Sequence, residues 1–327
     1  MTLAAVLVAL AAVLVALAAA VAVAYWLLAV SEGAYLGPRV VLWLYDRGAA
    51  TYDGVKRFQP HDEAAHIANP LVTRLEDGAG PGGRVLDVAT GTGRAAVALL
   101  MLDFYHGTVV GLDLSRRMLE QAAVKTEPWR ERFPLLRAPA VPLPFSDGAF
   151  DAVVMLEALE FLPDRERAVR ELARVLAPGG WLLLSNRVGL DRWLLAGRVD
   201  APEGLVRRLL AAGLTEVSVC GWETYYDLVW ARKPGAPCRR AEAPDAWLVD
   251  LRCPACGATG EWRPSAPEQA EPKGERGAAA EGARERNLLR WRTADAGRGV
   301  GVACHACGRS LARDGVCWDL APGGRTT

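Results

Sequence analysis

The hydrophobic pattern of the chain begins with a long uncharged stretch. Residues 2–30 are dominated by Ala, Val and Leu and contain no charged side chain. About 20 such residues suffice to cross the hydrocarbon core of a bilayer. The stretch is longer than the apolar core of a signal peptide, about 7–15 residues, and no basic residue precedes it. The pattern predicts a transmembrane helix over residues 1–30, with a cleaved signal peptide or a buried core helix as alternatives.

The basic residues that follow this stretch indicate its orientation. Arg39, Arg47, Lys56 and Arg57 come after it, whereas none comes before it. Cytoplasmic flanks of membrane helices carry the excess of Lys and Arg. We therefore expect a single-pass membrane protein with its bulk on the cytoplasmic side. The apolar, aromatic segment 40–45 is expected either to lie in the membrane interface or to cover a ligand pocket.

Two short apolar runs further along the chain predict buried parallel strands. They are Val-Leu-Asp-Val at 85–88 and Val-Val-Gly-Leu at 109–112. Between them Gly91 and Gly93 permit a sharp turn into a helix. Asp113 ends the second run, where an acid accepts hydrogen bonds from the two hydroxyls of a ribose. The pattern predicts one βαβ unit with a nucleotide-type site, and a tight turn without a ligand is the alternative.

The loop departs from the fingerprint of dinucleotide-dependent dehydrogenases. That fingerprint is Gly-x-Gly-x-x-Gly, whereas here its third glycine is replaced by Ala96. A second acid, Asp87, lies inside the first strand. These differences point away from NAD as the ligand.

At these residues the chain resembles the class I S-adenosylmethionine-dependent methyltransferases. The string Asp-Val-Ala-Thr-Gly-Thr-Gly at 87–93 looks like the type 11 and quinone-biosynthesis branch of that family. Residues 143–154 and 174–185 are similar to the segments that enter the family's fourth and fifth strands. The motifs follow the family's order over residues 82–233. The resemblance implies an α/β fold with a Rossmann-like, doubly wound, mostly parallel seven-stranded sheet.

The resemblance also implies site residues. The first acid and the glycine loop would surround the methionine part of S-adenosylmethionine, Asp113 would hold the ribose, and Leu114 would pack on the adenine. The family often has an acid that contacts the adenine just before its Leu-Pro-Phe motif, and Pro139 stands there in this chain, which leaves a backbone carbonyl as the replacement. The cofactor-binding residues so implied are Asp87, Ala89, Thr90, Gly91, Gly93, Asp113, Leu114 and Leu156.

Length and charge limit the classes of partner. The chain has 327 residues, enough for one domain of common size and a smaller one. Its 38 basic and 38 acidic residues give a formal net charge of zero and are interspersed. The absence of a sustained basic stripe argues against a nucleic-acid partner.

Two Cys-x-x-Cys turns near the C-terminus are the candidate metal ligands. Cys253 and Cys256 form the first turn, Cys304 and Cys307 the second, and a glycine follows each. Four thiolates at this spacing predict a tetrahedral Zn²⁺ site, and disulfides are the alternative, which a reducing cytoplasm disfavours. A closed four-cysteine site leaves no position for substrate, so the expected role of zinc is to stabilise a small zinc ribbon.

The sequence predicts four segments in this order. Residues 1–30 form the transmembrane helix, residues 31–80 an N-terminal helical cap, residues 81–234 the S-adenosylmethionine-binding methyltransferase domain, and residues 235–327 the zinc ribbon. A flexible insertion is expected at about 264–286, where large apolar residues are scarce. After it, residues 288–291 are predicted to return as a strand that pairs with residues 246–249.

Methyl transfer from a sulfonium is an in-line displacement that mainly needs alignment and exclusion of water. A general base is optional, and an oxygen or carbon acceptor would use one. Candidates by residue type are His61, His66, Tyr45, Tyr52, Tyr225 and Tyr226, each with surface exposure or packing as its alternative role. Glu157 and Glu160 follow the fourth strand, where they are either acceptor-side residues or a solvated helix start.

The sequence therefore favours a membrane-anchored methyltransferase that acts on a small or lipid-soluble acceptor, such as a quinone precursor or a lipid. One alternative is a methyltransferase of RNA or protein that uses the ribbon as its recognition module. Another is a non-catalytic scaffold with a degenerate methyltransferase fold.

Overall fold

The computed structural model describes residues 2–237, 246–260, 262–264, 301–313 and 315–321. All but the first residue of the predicted insertion at about 264–286, and the predicted strand over 288–291, lie outside the described residues.

An apolar helix opens the fold. Helix α1, Leu3–Tyr25, continues through a π-helical turn, Trp26–Val30, as one span of 28 residues. None of the residues in its most apolar window is buried against the rest of the chain. The length and composition of the span fit a membrane anchor or a signal sequence.

Four shorter α-helices lie between this span and the sheet. Proline in the first turn starts three of them, because its fixed φ suits a helix and its missing N–H is not needed there. Leu71 and Leu75 are buried in the same apolar core as Val85 and Val154 of the sheet. The four are α2 (Pro38–Gly48), α3 (Tyr52–Lys56), α4 (Pro60–Glu63) and α5 (Asn69–Glu76).

The body alternates strands and helices. Its helices are α6 (Arg94–Leu100), α7 (Arg116–Lys125), α8 (Arg165–Val175), α9 (Gly189–Leu194) and α10 (Pro202–Ala211). Its strands are β1 (Val85–Val88), β2 (Val109–Asp113), β3 (Leu135–Arg137), β4 (Phe150–Met155), β5 (Leu176–Arg187), β6 (Thr215–Glu223) and β7 (Tyr226–Arg232).

These seven strands are ordered β3-β2-β1-β4-β5-β7-β6, and β7 runs antiparallel to both of its neighbours. Leu86 of β1 pairs with Val110 on one side and with Val153 on the other. All four residues of β1 are buried, which explains why its sequence reads as an apolar run instead of an alternating one. The predicted Rossmann-like fold with a mostly parallel sheet is confirmed.

The C-terminal segment builds a small sheet and also extends the large one. Strands β8 (Trp262–Pro264), β9 (Gly301–Cys304) and β10 (Ser310–Ala312) form an antiparallel sheet in the order β10-β9-β8. Strand β11 (Trp318–Asp319) then pairs parallel to β3. The large sheet therefore has an eighth strand that the resemblance did not predict.

The prediction of a strand over residues 246–249 was wrong. Residues Ala246–Asp250 form a short 3₁₀ helix, and β9 pairs instead with β8. Trp247 and Leu251, four residues apart, are both buried in the core that also contains Leu136. A short apolar run is compatible with a buried helical turn as well as with a strand. Here a helical turn buries both Trp247 and Leu251, which are four residues apart.

Candidate functional site

A pocket lies where the carboxyl ends of β1 and β4 meet, the edge at which parallel α/β sheets bind ligands. We call it the central pocket. The residues that line it are Tyr52, Phe58, Asp87, Ala89, Thr90, Gly91, Thr92, Arg94, Ala95, Leu156 and Glu157.

The glycine loop between β1 and α6 turns through left-handed backbone. Ala89 has φ 55° and Gly91 has φ 54°, and strain of this kind in a residue other than glycine collects at functional sites. A Cβ added to Gly91 would meet no atom within 4 Å, so the space above that residue is open. Gly93, with φ 84°, directly precedes α6 as its N-cap, and a Cβ added there would contact Ala122 and Phe133.

Asp113 is fixed at the end of β2 by two backbone amides. Its Oδ2 accepts a hydrogen bond of 2.8 Å from the Gly91 amide, and its Oδ1 accepts one of 2.7 Å from the Ser115 amide. Burial raises the pKa of this carboxyl to about 6, although the backbone hydrogen bonds act in the opposite direction. The Asp113 carboxylate therefore lies against the glycine loop, beside which it was predicted to hold the ribose.

Asp87 lies in β1 beneath the same loop. The Thr90 hydroxyl donates a hydrogen bond of 2.6 Å to its Oδ2. Burial, together with the nearby charge of Asp113, raises the pKa of Asp87 to about 7, although the Thr90 hydrogen bond acts in the opposite direction. A buried acid of this kind opposes folding whenever it is ionised, so packing alone does not explain its presence.

Of the eight predicted cofactor residues, five line the central pocket. Two others, Gly93 and Asp113, adjoin it through the glycine loop. The eighth, Leu114, follows Asp113, and its carbonyl accepts a hydrogen bond from Arg137. The five lining residues are Asp87, Ala89, Thr90, Gly91 and Leu156.

The helices before the sheet close over the pocket through polar contacts with the glycine loop and α7. The Thr92 hydroxyl donates a hydrogen bond to Asp53, whose other oxygen lies 2.7 Å from the Lys125 ammonium. Asp46 of α2 accepts a hydrogen bond from the Ser115 hydroxyl. We call residues 31–80, which contribute these contacts, the cap.

An arginine that sequence reasoning missed joins three parts of the site. Arg94, the first residue of α6, forms ion pairs with Glu63 of the cap, Glu157 after β4 and Glu223 of β6. Its guanidinium also stacks on Phe58 at 4.2 Å from the ring centroid. We call these residues the Arg94 cluster. The only signal in the sequence was an arginine directly after the glycine loop.

A second buried network lies beside the pocket. Arg187, the last residue of β5, donates hydrogen bonds of 2.8 Å to Glu160 and 2.7 Å to Glu32, which lies two residues after the end of the apolar span. The hydroxyls of Tyr226 and Tyr45 donate hydrogen bonds to Glu160 and Glu32 respectively. Glu160 is only 4% exposed, so the interpretation as a solvated helix start was wrong for this residue.

Of the predicted base candidates, only Tyr52 lines the pocket. Burial raises its pKa well above the ordinary value, and the charges of Glu157 and Glu32 act in the same direction. Its hydroxyl is therefore suited to donating a hydrogen bond, not to removing a proton. His61 and His66 are both exposed, and the His66 ring contacts the Asp62 carbonyl at 2.9 Å.

The four cysteines of the two Cys-x-x-Cys turns, which we call knuckles, lie close together. Their Sγ atoms all lie within 4.8 Å of one another, with Cys253 to Cys307 at 3.6 Å and Cys256 to Cys304 at 3.8 Å. A tetrahedron with metal–sulfur bonds of about 2.3 Å has sulfur–sulfur edges of about 3.8 Å, whereas a disulfide bond is about 2.05 Å long. The donor set and its spacing therefore fit Zn²⁺.

The two knuckles share one backbone geometry. The amide of Gly257 donates a hydrogen bond of 2.8 Å to the Cys253 carbonyl, and the amide of Gly308 donates one of 2.8 Å to the Cys304 carbonyl. Both glycines have φ 72°, which L side chains rarely adopt. In each knuckle the first cysteine is buried and the second is exposed.

Comparison with known proteins places this site in a family context. Residues 86–184 match the family described as methyltransferase domain. A methyltransferase of Streptomyces halstedii is 38% identical over 124 residues, which cover 37% of this chain and 43% of the relative. A demethylmenaquinone methyltransferase of Thermus thermophilus is 45% identical over 102 residues, covering 31% of this chain and 46% of the relative.

A ubiquinone/menaquinone biosynthesis C-methyltransferase of Syntrophotalea carbinolica is 35% identical over 156 residues, which cover 47% of this chain and 64% of the relative. The chain thus spans less than two thirds of the length of each of these three relatives.

Two solved structures are similar over part of the chain. One is an S-adenosylmethionine-dependent methyltransferase of Thermotoga maritima, with 24% identity, a TM-score of 0.43, and coverage of 58% of this chain and 98% of that one. The other is a complex between the Haloferax volcanii Trm112 methyltransferase activator and a methyltransferase, with 22% identity, a TM-score of 0.46 and the same coverage. By the family match and its own sheet order, the chain carries a methyltransferase domain in residues 86–184, on a Rossmann-like methyltransferase fold.

Proposed function

We propose that the chain is an S-adenosylmethionine-dependent methyltransferase, held at a membrane by residues 3–30, that acts on a small or lipid-soluble acceptor. The observation that carries the proposal is the position of Asp113. Its carboxylate ends β2 and is bonded to the glycine loop at the family's cofactor edge. A methyl group on a sulfonium is the chemistry that the bound cofactor would supply.

The residues of the central pocket fit that cofactor. Asp113 would accept hydrogen bonds from the ribose hydroxyls, and the open space above Gly91 would allow close approach of the ligand. Asp87 would provide negative charge near the cationic methionine part. Tyr52 and Phe58 of the cap would exclude water, and the Tyr52 hydroxyl would donate a hydrogen bond to the acceptor.

Two observations support a lipid-soluble acceptor. The relatives include enzymes named for menaquinone and ubiquinone biosynthesis, although each match covers only part of the relative. The apolar span precedes the cap directly, and anchoring raises the concentration of enzyme where apolar acceptors reside. Because the flanking basic residues follow the apolar span, the catalytic domain would lie on the cytoplasmic side of the membrane.

The proposed role of Zn²⁺ is structural. Four thiolates from Cys253, Cys256, Cys304 and Cys307 would fill a tetrahedral shell and leave no position for a substrate. The ribbon that they hold contributes Val302 and Leu311 to the same core as the large sheet. The metal would therefore stabilise the sheet as well as the ribbon.

The test uses the full chain, purified in detergent. Binding of S-adenosylmethionine is measured by calorimetry, and transfer of a labelled methyl group is then followed into lipid extract, RNA and cytoplasmic protein in parallel. Label in the lipid fraction supports the proposal, and label in RNA or protein instead replaces the acceptor class. A folded, zinc-loaded chain that binds no S-adenosylmethionine contradicts the methyltransferase itself.

A further inference from the structure

The end of the apolar span is attached to the segment that follows β5. Arg187, at the end of β5, pairs with Glu32 at 2.7 Å. The Tyr35 hydroxyl donates a hydrogen bond of 2.8 Å to the Ala196 carbonyl, and the Tyr35 ring lies 4.9 Å from the ring of Trp26. Because Trp26 belongs to the span, these contacts put residues 187–196 beside its last turns.

Helix α9 lies within this attached segment and exposes large apolar side chains. Leu190 is 77% exposed, Trp193 is 72% exposed and Leu194 is 43% exposed. Spacings of three and four residues put the three side chains on one face of the helix. A groove beside this face is lined by Val188 and Pro202, with Leu190 and Trp193.

Basic side chains accompany this apolar face. The Arg192 guanidinium lies 5.3 Å from the centroid of the Trp193 ring, and the Arg198 guanidinium lies 5.7 Å from the centroid of the Tyr35 ring. Trp and Tyr favour the headgroup level of a bilayer, where arginine side chains meet lipid phosphates. Aromatic, aliphatic and basic groups are therefore combined next to the end of a span that is long enough to cross that bilayer.

We propose that α9 docks into the headgroup region of the bilayer that residues 3–30 enter. This inference rests on the membrane anchoring put forward in the proposed function. The contacts favour the bilayer as the partner of α9. Tyr35 contacts both Trp26 of the span and Ala196 after α9, so α9 lies at about the same depth relative to the membrane as the end of the span. Leu190, Trp193 and Leu194 enter the acyl boundary, and Arg192 remains at the phosphates.

This docking orients the domain. Strands β4 and β5 are neighbours and run parallel, so the end of β5 at Arg187 and the pocket residues that follow β4 lie at the same edge of the sheet. With α9 in the headgroup region, this edge faces the membrane. An apolar acceptor then reaches the central pocket from the bilayer without crossing bulk water.

The experiment places one photoreactive residue, benzoylphenylalanine, at a single position of the full chain reconstituted into nanodiscs of phosphatidylcholine and phosphatidylglycerol. Position 193 tests the docking. Position 25 reports insertion of the span, since Tyr25 is 67% exposed. Position 104 is the matched control, because Phe104 is an exposed aromatic before β2, at the opposite edge of the sheet. Lipid adducts are counted by mass spectrometry, and thermal unfolding checks that each variant is folded.

Lipid adducts at positions 25 and 193, at least about tenfold above those at position 104, support the docking. Adducts at position 25 with position 193 no higher than position 104 overturn it and leave the anchor in place. Adducts at none of the three positions overturn both the docking and the anchor. Calorimetry with S-adenosylmethionine on the same samples separates these outcomes from a failure of methyl transfer, because loss of binding does not alter the adducts.

Discussion

The amide of Gly91 and the carboxylate of Asp113, 22 residues apart in the chain, are joined by a hydrogen bond of 2.8 Å. This contact connects the glycine loop to the end of β2 and fixes the acid that would bind a ribose. Asp113→Ala is expected to weaken the binding of S-adenosylmethionine by about 1.5–3 kcal/mol, the value of a hydrogen bond to a charged group. This corresponds to a rise in Kd of roughly tenfold to a hundredfold.

Calorimetry on the full chain measures this change. Asp103→Ala is the matched control, since Asp103 is exposed and lies before β2, away from the pocket. Equal affinities for both variants would contradict the role of Asp113.

The pH dependence of cofactor binding follows from the same carboxyl. Burial raises the pKa of Asp113 to about 6, so the carboxylate predominates above that pH and the neutral acid below it. Only the carboxylate accepts hydrogen bonds from both ribose hydroxyls. Affinity should therefore be nearly constant above about pH 7 and fall by up to about tenfold per pH unit below about pH 6. Calorimetry across this range tests it, and Asp113→Asn should show weaker binding with a flatter profile.

The stability of the protein should carry the signature of Asp87. Burial, and then the charge of Asp113, raises the pKa of Asp87 from 3.8 to about 7. Because the pKa of Asp87 is higher in the folded than in the unfolded state, its contribution to stability is fully present below about pH 4. That contribution is lost as the pH rises towards about 7, by up to about 1.4 kcal/mol per pH unit.

Asp87→Asn removes this loss. The variant should gain in Tm relative to the wild type between about pH 4 and about pH 7, and the difference should level off above that. Thermal unfolding in a pH series measures both proteins. A difference that does not change with pH would show that Asp87 is not titrating in the buried site.

Removal of the metal should unfold more than the ribbon. Zinc binding in small domains is worth about 10–16 kcal/mol, and here the ribbon segment places Trp247 against Trp318 with ring centroids 6.3 Å apart. A chelator, or Cys253→Ser, should release one zinc per chain, shift tryptophan fluorescence and lower the Tm by several degrees. Cys220→Ser, at an exposed cysteine, is the control. Purified protein without zinc, or an unchanged Tm, would refute the metal site.

The Arg94 cluster should hold the cap closed. Arg94→Lys keeps the charge but loses the planar fork that reaches Glu63, Glu157 and Glu223 together. We expect faster amide exchange over residues 52–66 and weaker cofactor binding. Arg170→Lys, in an exposed pair with Glu166, should alter stability by no more than about 0.5 kcal/mol. Identical exchange in both variants would show that the cap is held by other contacts.

The parts of the fold that could be predicted are those with a local pattern. The apolar runs predicted β1 and β2 almost to the residue, because both faces of these strands are buried. The glycines of the loop and of both knuckles also predicted turns, and the structure gives them positive φ. The residues implied by the resemblance lie together mainly along the loop, where backbone conformation depends on a few adjacent positions.

The parts that could not be predicted depend on partners distant in sequence. Nothing in the periodicity near Arg94 indicates that its carboxylates come from positions 63, 157 and 223. Likewise, Trp247 in a short apolar run reads as a strand until its buried neighbour Trp318 is known. His61 was a candidate by residue type alone, and the structure leaves its side chain exposed.

The pairing of β11 with β3 has a consequence for biogenesis. Asp319 contacts Arg137 across 182 residues of chain, so this edge of the large sheet stays open until residues 318–319 have left the ribosome. Until then the nascent chain presents an unpaired strand edge and an uncovered apolar surface at Leu136, both of which favour aggregation. Shortened chains that end before the first knuckle should therefore collect in inclusion bodies, and completion of the large sheet should await synthesis of residues 318–319.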